Sequence, residues 1–162
     1  MTMYHSPEDG QQHQVLVQDD PDLNKIKDDA RHHERMAMVQ VLFIDEFPNQ
    51  SWENLELEYD HELLEAIRAH KKEYDEQIQK VATERPVHEL AKIDLAILRL
   101  ILHEAATKKT PAKVLIDEGV ELAKDFGGEN SYAFVNAVLE KLLLPDADKK
   151  KAEKSKGENG RE

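Results

Sequence analysis

The stretch ELAKDFGGENSYAFVNAVLEKL, Glu121 to Leu142, places a helix end, a two-glycine turn and a new helix start side by side. Val135, Val138, Leu139, Leu142 and Leu143 recur at i, i+3, i+4, i+7 and i+8, with Phe134 beside them, which is one face of an α-helix. Asn130 or Ser131 stands where a helix N-cap belongs. Gly127-Gly128 reads as the left-handed cap that ends the preceding helix. The unit is a helical hairpin, and the chain around it decides what the hairpin packs against.

Asp125-Phe126-Gly127 also matches the metal-binding triplet of protein kinases. That chemistry needs a glycine-rich loop and a lysine-bearing strand as well, and the sequence offers neither. Phe126 is read as a helix-end apolar residue and Gly127 as a cap.

Upstream, Thr110-Pro111 is a cap followed by proline at the first helical position. The helix it opens runs to about Asp125, with Val114, Leu115, Leu122 and Phe126 as its apolar set. Gly119 and Ala123, four apart, let another helix approach closely. Before it, about Val87 to Thr107, Ile93, Leu95, Ile97, Leu98, Leu100, Ile101 and Leu102 make a helix apolar nearly all round, which suits a central, buried position. Pro86 separates it from a long amphipathic helix, Asp60 to Val81, with Leu63, Leu64, Ile67, Tyr74, Ile78 and Val81 inward. A further helix is expected from a cap at Asp28 or Asp29 to about Glu46, with Met36, Val39, Leu42, Phe43 and Phe47 on one face. Between these two, "SWENLELEYD" is ambiguous and fits a short helix under Trp52. No segment alternates as a strand, so the fold class is all-α, a bundle of five or more helices.

Residues 1–27 and 146–162 show no apolar period and are expected to be a mobile arm and a charged, flexible tail around a helical domain at 28–145. "DPDLN" at Asp20 is not a calcium loop, because the glycine position is Lys25 and the closing carboxylate position is Arg31.

Of 162 residues, 34 are acidic and 22 are Lys or Arg, for a net charge of −12. Residues 1–30 hold seven acidic and two basic residues, and residues 31–144 keep a net −8. Phosphate affinity comes mainly from Lys and Arg, so general nucleic-acid binding is disfavoured and any contact must be local or shared with a basic partner. There are no cysteines, which excludes disulfides and thiolate metal sites. The N-terminus lacks an apolar signal core and "LAILRLIL" is too short to span a bilayer, so a cytoplasmic protein is expected.

Adjacent His32 and His33 point about 100° apart on a helix and share a metal poorly. No His, Asp and Glu set has a metal-ligand spacing. No serine sits in a nucleophile elbow. Neither catalysis nor a cofactor is indicated. "ARHHER", Ala30 to Arg35, is a cationic cluster whose Arg31 and Arg35 are one turn apart and could clamp a phosphate.

Asp94 to Leu143 resembles the transcription antitermination factor NusB family. The likeness rests on Asp94, Ala96-Ile97-Leu98-Arg99, His103-Glu104, Pro111, Lys113-Val114, Ile116-Asp117-Glu118, Glu121-Leu122-Ala123-Lys124, Phe126-Gly127, Ser131 and Phe134-Val135-Asn136, in one order. Residues 31–93 match more loosely, through the basic helix start and "QVLF" at Gln40 to Phe43. The chain departs from the pattern at Phe43 and His103, where tyrosines are usual, at Asn130 for an acidic residue, and at Ala137 for a glycine. Its arginine run is diluted to Arg-His-His-Glu-Arg.

The resemblance implies an all-α fold of two small helical subdomains and no catalysis. It also implies pairing with NusE, the small-subunit ribosomal protein of the S10 family, and binding of boxA RNA in transcription elongation and rRNA synthesis, with RNA polymerase reached indirectly. Carried over by position, Arg31, His32, His33, Arg35, Phe43, Glu118 and Phe134 would contact RNA, and Asp94 would face NusE. Glu118 would accept from a base edge, and Phe134 or Phe43 would stack on an unpaired base. RNA cytosine methyltransferases carry a similar helical module, but this sequence has no glycine-rich cofactor loop. An adaptor of the same fold without RNA binding is the other reading.

Overall fold

The computed structural model describes residues 21–49 and 56–145. Among these residues the chain forms five α-helices and a single-turn 3-10 helix, with no strand. They are α1 (Pro21–Asp45), α2 (His61–Val81), the 3-10 turn Val87–Glu89, α3 (Lys92–Thr107), α4 (Ala112–Phe126) and α5 (Ser131–Leu143). The all-α expectation holds. The described residues divide into two units between Glu34 and Arg35, a division that α1 runs through. Trp52, residues 1–20 and residues 146–162 lie outside the described residues.

α1 starts at Pro21, ahead of the expected cap at Asp28 or Asp29. Proline suits the first turn, where its missing N–H needs no partner, and Asp22 places a negative charge there. The segment lacks an apolar stripe: Ile26 is exposed, and the first buried residue of the helix is Met38. Reading helix from burial pattern alone therefore starts α1 too late. The buried stripe is Met38, Val39, Val41 and Leu42, while Phe47 lies beyond the helix end and is exposed.

Asp60, placed inside the helix by its sequence pattern, is instead the cap of α2, its carboxylate accepting from Leu63 N–H at 3.1 Å. Leu64, Ile67, Tyr74 and Ile78 turn inward. α3 is the central helix. Every residue from Asp94 to Glu104 is buried, and Ala96, Ile97, Leu98 and Ile101 have no exposed surface. The helix begins at Lys92 rather than Val87, because Leu90 and Ala91 are extended and separate it from the 3-10 turn.

Pro111 is the cap of α4 rather than its first helical residue. The inward face of α4 is Leu115, Ile116, Gly119, Leu122 and Ala123, and it meets Val135, Val138 and Leu139 of α5 in the core. Val114 faces away from this stripe and is 47% exposed, contrary to its expected place in the core. A Cβ built on Gly119 would stand 2.5 Å from Leu139 Cδ1. The absence of a side chain there lets α5 lie close on α4, as the Gly119–Ala123 spacing suggests.

The two-glycine turn is built differently from the expected cap. Gly127 has φ −85° and ψ 175°, and among the described residues no glycine has positive φ. Gly127 is demanded by space: a Cβ there would lie 2.4 Å from Ser131 Cβ and 2.7 Å from the Ala123 carbonyl oxygen. Asn130 precedes α5 without capping it through its side chain, and the Ser131 hydroxyl instead accepts from Gly128 N–H at 3.0 Å. Among the described residues no helix is long and apolar enough to cross a membrane.

Candidate functional site

The structure separates the sequence-derived site residues into distinct places. The first surrounds Arg35. Its Nε donates to both carboxylate oxygens of Glu104 at 3.1 Å, and its Nη1 lies 3.3 Å from Glu118 Oε2. The Arg35 side chain is 11% exposed and that of Glu104 6%. Lys108 joins from the end of α3, its Nζ 3.8 Å from Glu104 Oε1. Arg35 and Glu118 are thus brought together, but as an ion pair within the protein. The expected phosphate clamp does not follow from this arrangement, because two carboxylates already hold the guanidinium.

Arg31, His32 and His33 lie on the first half of α1. Arg31 is exposed and 3.9 Å from Asp28. His33 Nδ1 lies 2.6 Å from the Asp29 carbonyl oxygen, and the His32 and His33 rings meet edge to face. Phe43 occupies another place. Its half-buried ring stands edge to face on Phe47, with centroids 5.2 Å apart, and Lys92 Nζ sits 4.9 Å from the centre of the Phe47 ring.

Phe134 and Asp94 share a surface cleft of about 600 Å³. Its walls come from the segment after α2, the start of α3 and one side of α5 along its length, including Arg85, Asn130, Ser131 and Lys141. Asp94 and Glu104 are ten residues apart on α3, about 15 Å along the axis. Phe134 therefore belongs with Asp94, well away from Arg35 and Glu118. The segment after α2 is braced by Gln79. Its amide donates to the carbonyls of Ala82 and Arg85, and its oxygen accepts from Val87 N–H at 2.8 Å.

Asp94 is 7% exposed, and its Oδ1 is buried with no hydrogen-bond partner among the described residues. Burial pushes its carboxyl above the ordinary aspartate range, and a hydrogen bond from the Ser131 hydroxyl opposes that rise. Gly128 N–H, Ser131 and Asp94 form a short relay from the glycine turn to the cleft. Buried carboxylates with incomplete partners cluster at functional sites.

This arrangement gives a prediction. The raised folded-state value means that the folded protein binds the Asp94 proton more tightly than the unfolded chain. Its stabilising effect is complete below 3.8 and is lost as pH rises through the folded value. At pH 7 the ionised group is a net cost, so Asp94→Asn raises stability by about 1 kcal/mol, seen as a few degrees in Tm. The gain shrinks as melts are repeated toward pH 4. An Asn variant that melts lower at pH 7 would contradict this account of Asp94.

His103, in place of the family's usual tyrosine, is buried on α3, with Nδ1 2.8 Å from Tyr74 Oη. Burial, and then the charge of His70, holds its pKa below the ordinary histidine value. Sequence reasoning missed the roles of Glu104, Ser131 and Gln79. For Glu104 a signal existed: Asp94, Arg99, His103 and Glu104 interrupt an otherwise apolar helix, and buried polar groups need partners. Arg99 finds Asp75 at 2.8 Å and Glu46 at 2.6 Å. Gln79 gave no signal, since its partners are backbone atoms of an irregular segment.

The NusB family model matches residues 23–143. Among curated relatives, transcription antitermination protein NusB of Herpetosiphon aurantiacus is 46% identical over 77 residues, covering 45% of this chain and 53% of that protein. NusB of Alcanivorax borkumensis is 42% identical, covering 58% of this chain and 63% of that protein. These alignments therefore span between half and two thirds of those relatives. NusB of Anaeromyxobacter dehalogenans (strain 2CP-1) is 34% identical over 130 residues, covering 73% of this chain and 92% of that protein. A solved structure of T. maritima NusB superposes with a TM-score of 0.62 at 31% identity, covering 76% of this chain and 96% of the other. With the family pattern running through α1 to α5 and the helices matching a solved member, this chain belongs to the NusB family.

Proposed function

We propose that this chain is a non-catalytic, cytoplasmic antitermination factor that pairs with NusE and, with it, binds boxA-type RNA during transcription elongation and rRNA synthesis. The observation that carries the reading is Asp94, a buried carboxylate with an unpartnered oxygen at a cleft. A basic or hydrogen-bond-donating partner group would satisfy that oxygen, and NusE is the partner the family suggests. The relatives' name, transcription antitermination protein, supports the broader role. Dependence on a partner follows from charge: the chain is −12 overall, and Arg35 is already held by Glu104 and Glu118. A basic ribosomal partner supplies the missing positive surface. Phe134, on the Asp94 cleft, offers a ring for a base at the edge of the shared groove.

Fluorescence anisotropy of labelled boxA and scrambled RNA, with and without NusE, tests the reading. The chain alone binds weakly, and NusE tightens boxA binding by at least about tenfold. Phe134→Ala costs about 1–3 kcal/mol of boxA binding and narrows the gap to scrambled RNA. Equal affinity for both RNAs with NusE present, unchanged by Phe134→Ala, would favour an adaptor that does not read RNA. The close ion pairing of Arg35 is the observation on that side.

A further inference from the structure

We propose that the corner between α3 and α4, carrying Lys108, Lys109 and Lys113, is the phosphate-binding edge of an RNA surface, with Arg35 left to its internal ion pairs. This rests on the RNA reading above and assigns that surface a place on the fold. The three lysines fall within "KKTPAK" and all are exposed. The corner is physically joined to the Arg35 cluster: Lys108 lies 3.8 Å from Glu104, Glu104 holds Arg35, and Arg35 holds Glu118. Lys108 is 61% exposed, whereas Arg35 is 11% exposed with two carboxylates on it. Of these two cations, Lys108 is the one whose ammonium stands open to solvent, its long 3.8 Å contact with Glu104 leaving it within reach of a phosphate.

The surface next to the corner suits single-stranded RNA. Val114 stands exposed one turn before Glu118 on the same face of α4. An apolar contact and a carboxylate acceptor therefore follow the lysines at one-turn spacing, about 5.4 Å. Phosphates sit at the corner, where lysines act as flexible point charges. A base lies over Val114 and presents an amino group toward Glu118. Single-stranded RNA brings phosphates and base amino groups together along one strand, matching lysines followed by the carboxylates of Asp117, Glu118 and Glu121 along α4.

The test uses the full chain with NusE and labelled boxA RNA, titrated over a range of salt concentrations. The triple variant Lys108→Ala, Lys109→Ala, Lys113→Ala removes only exposed side chains, and a thermal melt by circular dichroism checks that it folds. Removing three contacts to single-stranded RNA should flatten the slope of log K against log salt by about 2. At physiological salt the affinity should fall by about 10- to 100-fold. A control pair on α2, Lys72→Ala with Lys80→Ala, should leave the slope where it was. An unchanged slope in the triple variant overturns the proposal, as does an equal loss in the control. Loss of NusE capture with the RNA slope intact also overturns it and makes the corner a protein contact. If the wild-type chain with NusE fails to bind boxA RNA at all, both this proposal and the RNA reading fall together.

Discussion

Leu98→Ala lowers the free energy of unfolding by about 2–5 kcal/mol, measured by urea or guanidinium titration. Leu98 lies at the middle of α3, has no exposed surface and belongs to the core shared by all five helices. Replacing it removes apolar contact and leaves a cavity that the neighbouring Ile97 and Ile101, both fully buried, cannot close without moving the helix. A domain stable by about 5–15 kcal/mol loses a large share of its margin. A loss below about 0.5 kcal/mol would show that α3 is not the centre of the fold.

Arg35→Ala is expected to cost about 3–5 kcal/mol, a cost of structure before it is one of binding. The substitution leaves the Glu104 carboxylate, with its side chain 6% exposed, to face Glu118 without the guanidinium between them. Removing one partner of a buried pair is far more damaging than replacing both, because the remaining charge keeps its desolvation penalty. Pairing Arg35→Ala with Glu104→Gln should therefore recover part of the loss, and a double-mutant cycle measures how much. If the single variant costs less than about 1 kcal/mol, or the second substitution adds its full cost, the pair is not a buried anchor.

Local pattern made much of this fold readable. Leu64, Ile67, Tyr74 and Ile78 as the inner face of α2, and the repeat along α5, each follow from spacing within one helix. The burial of α3 followed from its near-continuous apolar run. What escaped lies across helices. Arg35 looked like a surface cation because its partner Glu104 is 69 residues away. Val114 was assigned inward because an apolar letter at a helix start counts toward the stripe, whatever side the packed helix lies on. The start of α1 was missed because its first turns bury no apolar residue. For the candidate site, the family resemblance supplied the residues but not their grouping. Only the packed helices place Phe134 beside Asp94 and join Glu118 to Arg35.

The two adjacent glycines at the end of α4 have opposite tolerance for change. Gly128 has open room, the nearest heavy atom to a Cβ being Ser131 Oγ at 4.0 Å, and its φ is not positive. Gly127 has none: a methyl group there runs into Ser131 and the Ala123 carbonyl. The side chain it would push is the one that hydrogen-bonds Asp94 at the cleft. Sequence drift at position 127 would therefore be registered first at the Asp94 cleft, with the hydrophobic core still intact. By that measure the first glycine is tied to the cleft, whereas its neighbour is free to vary.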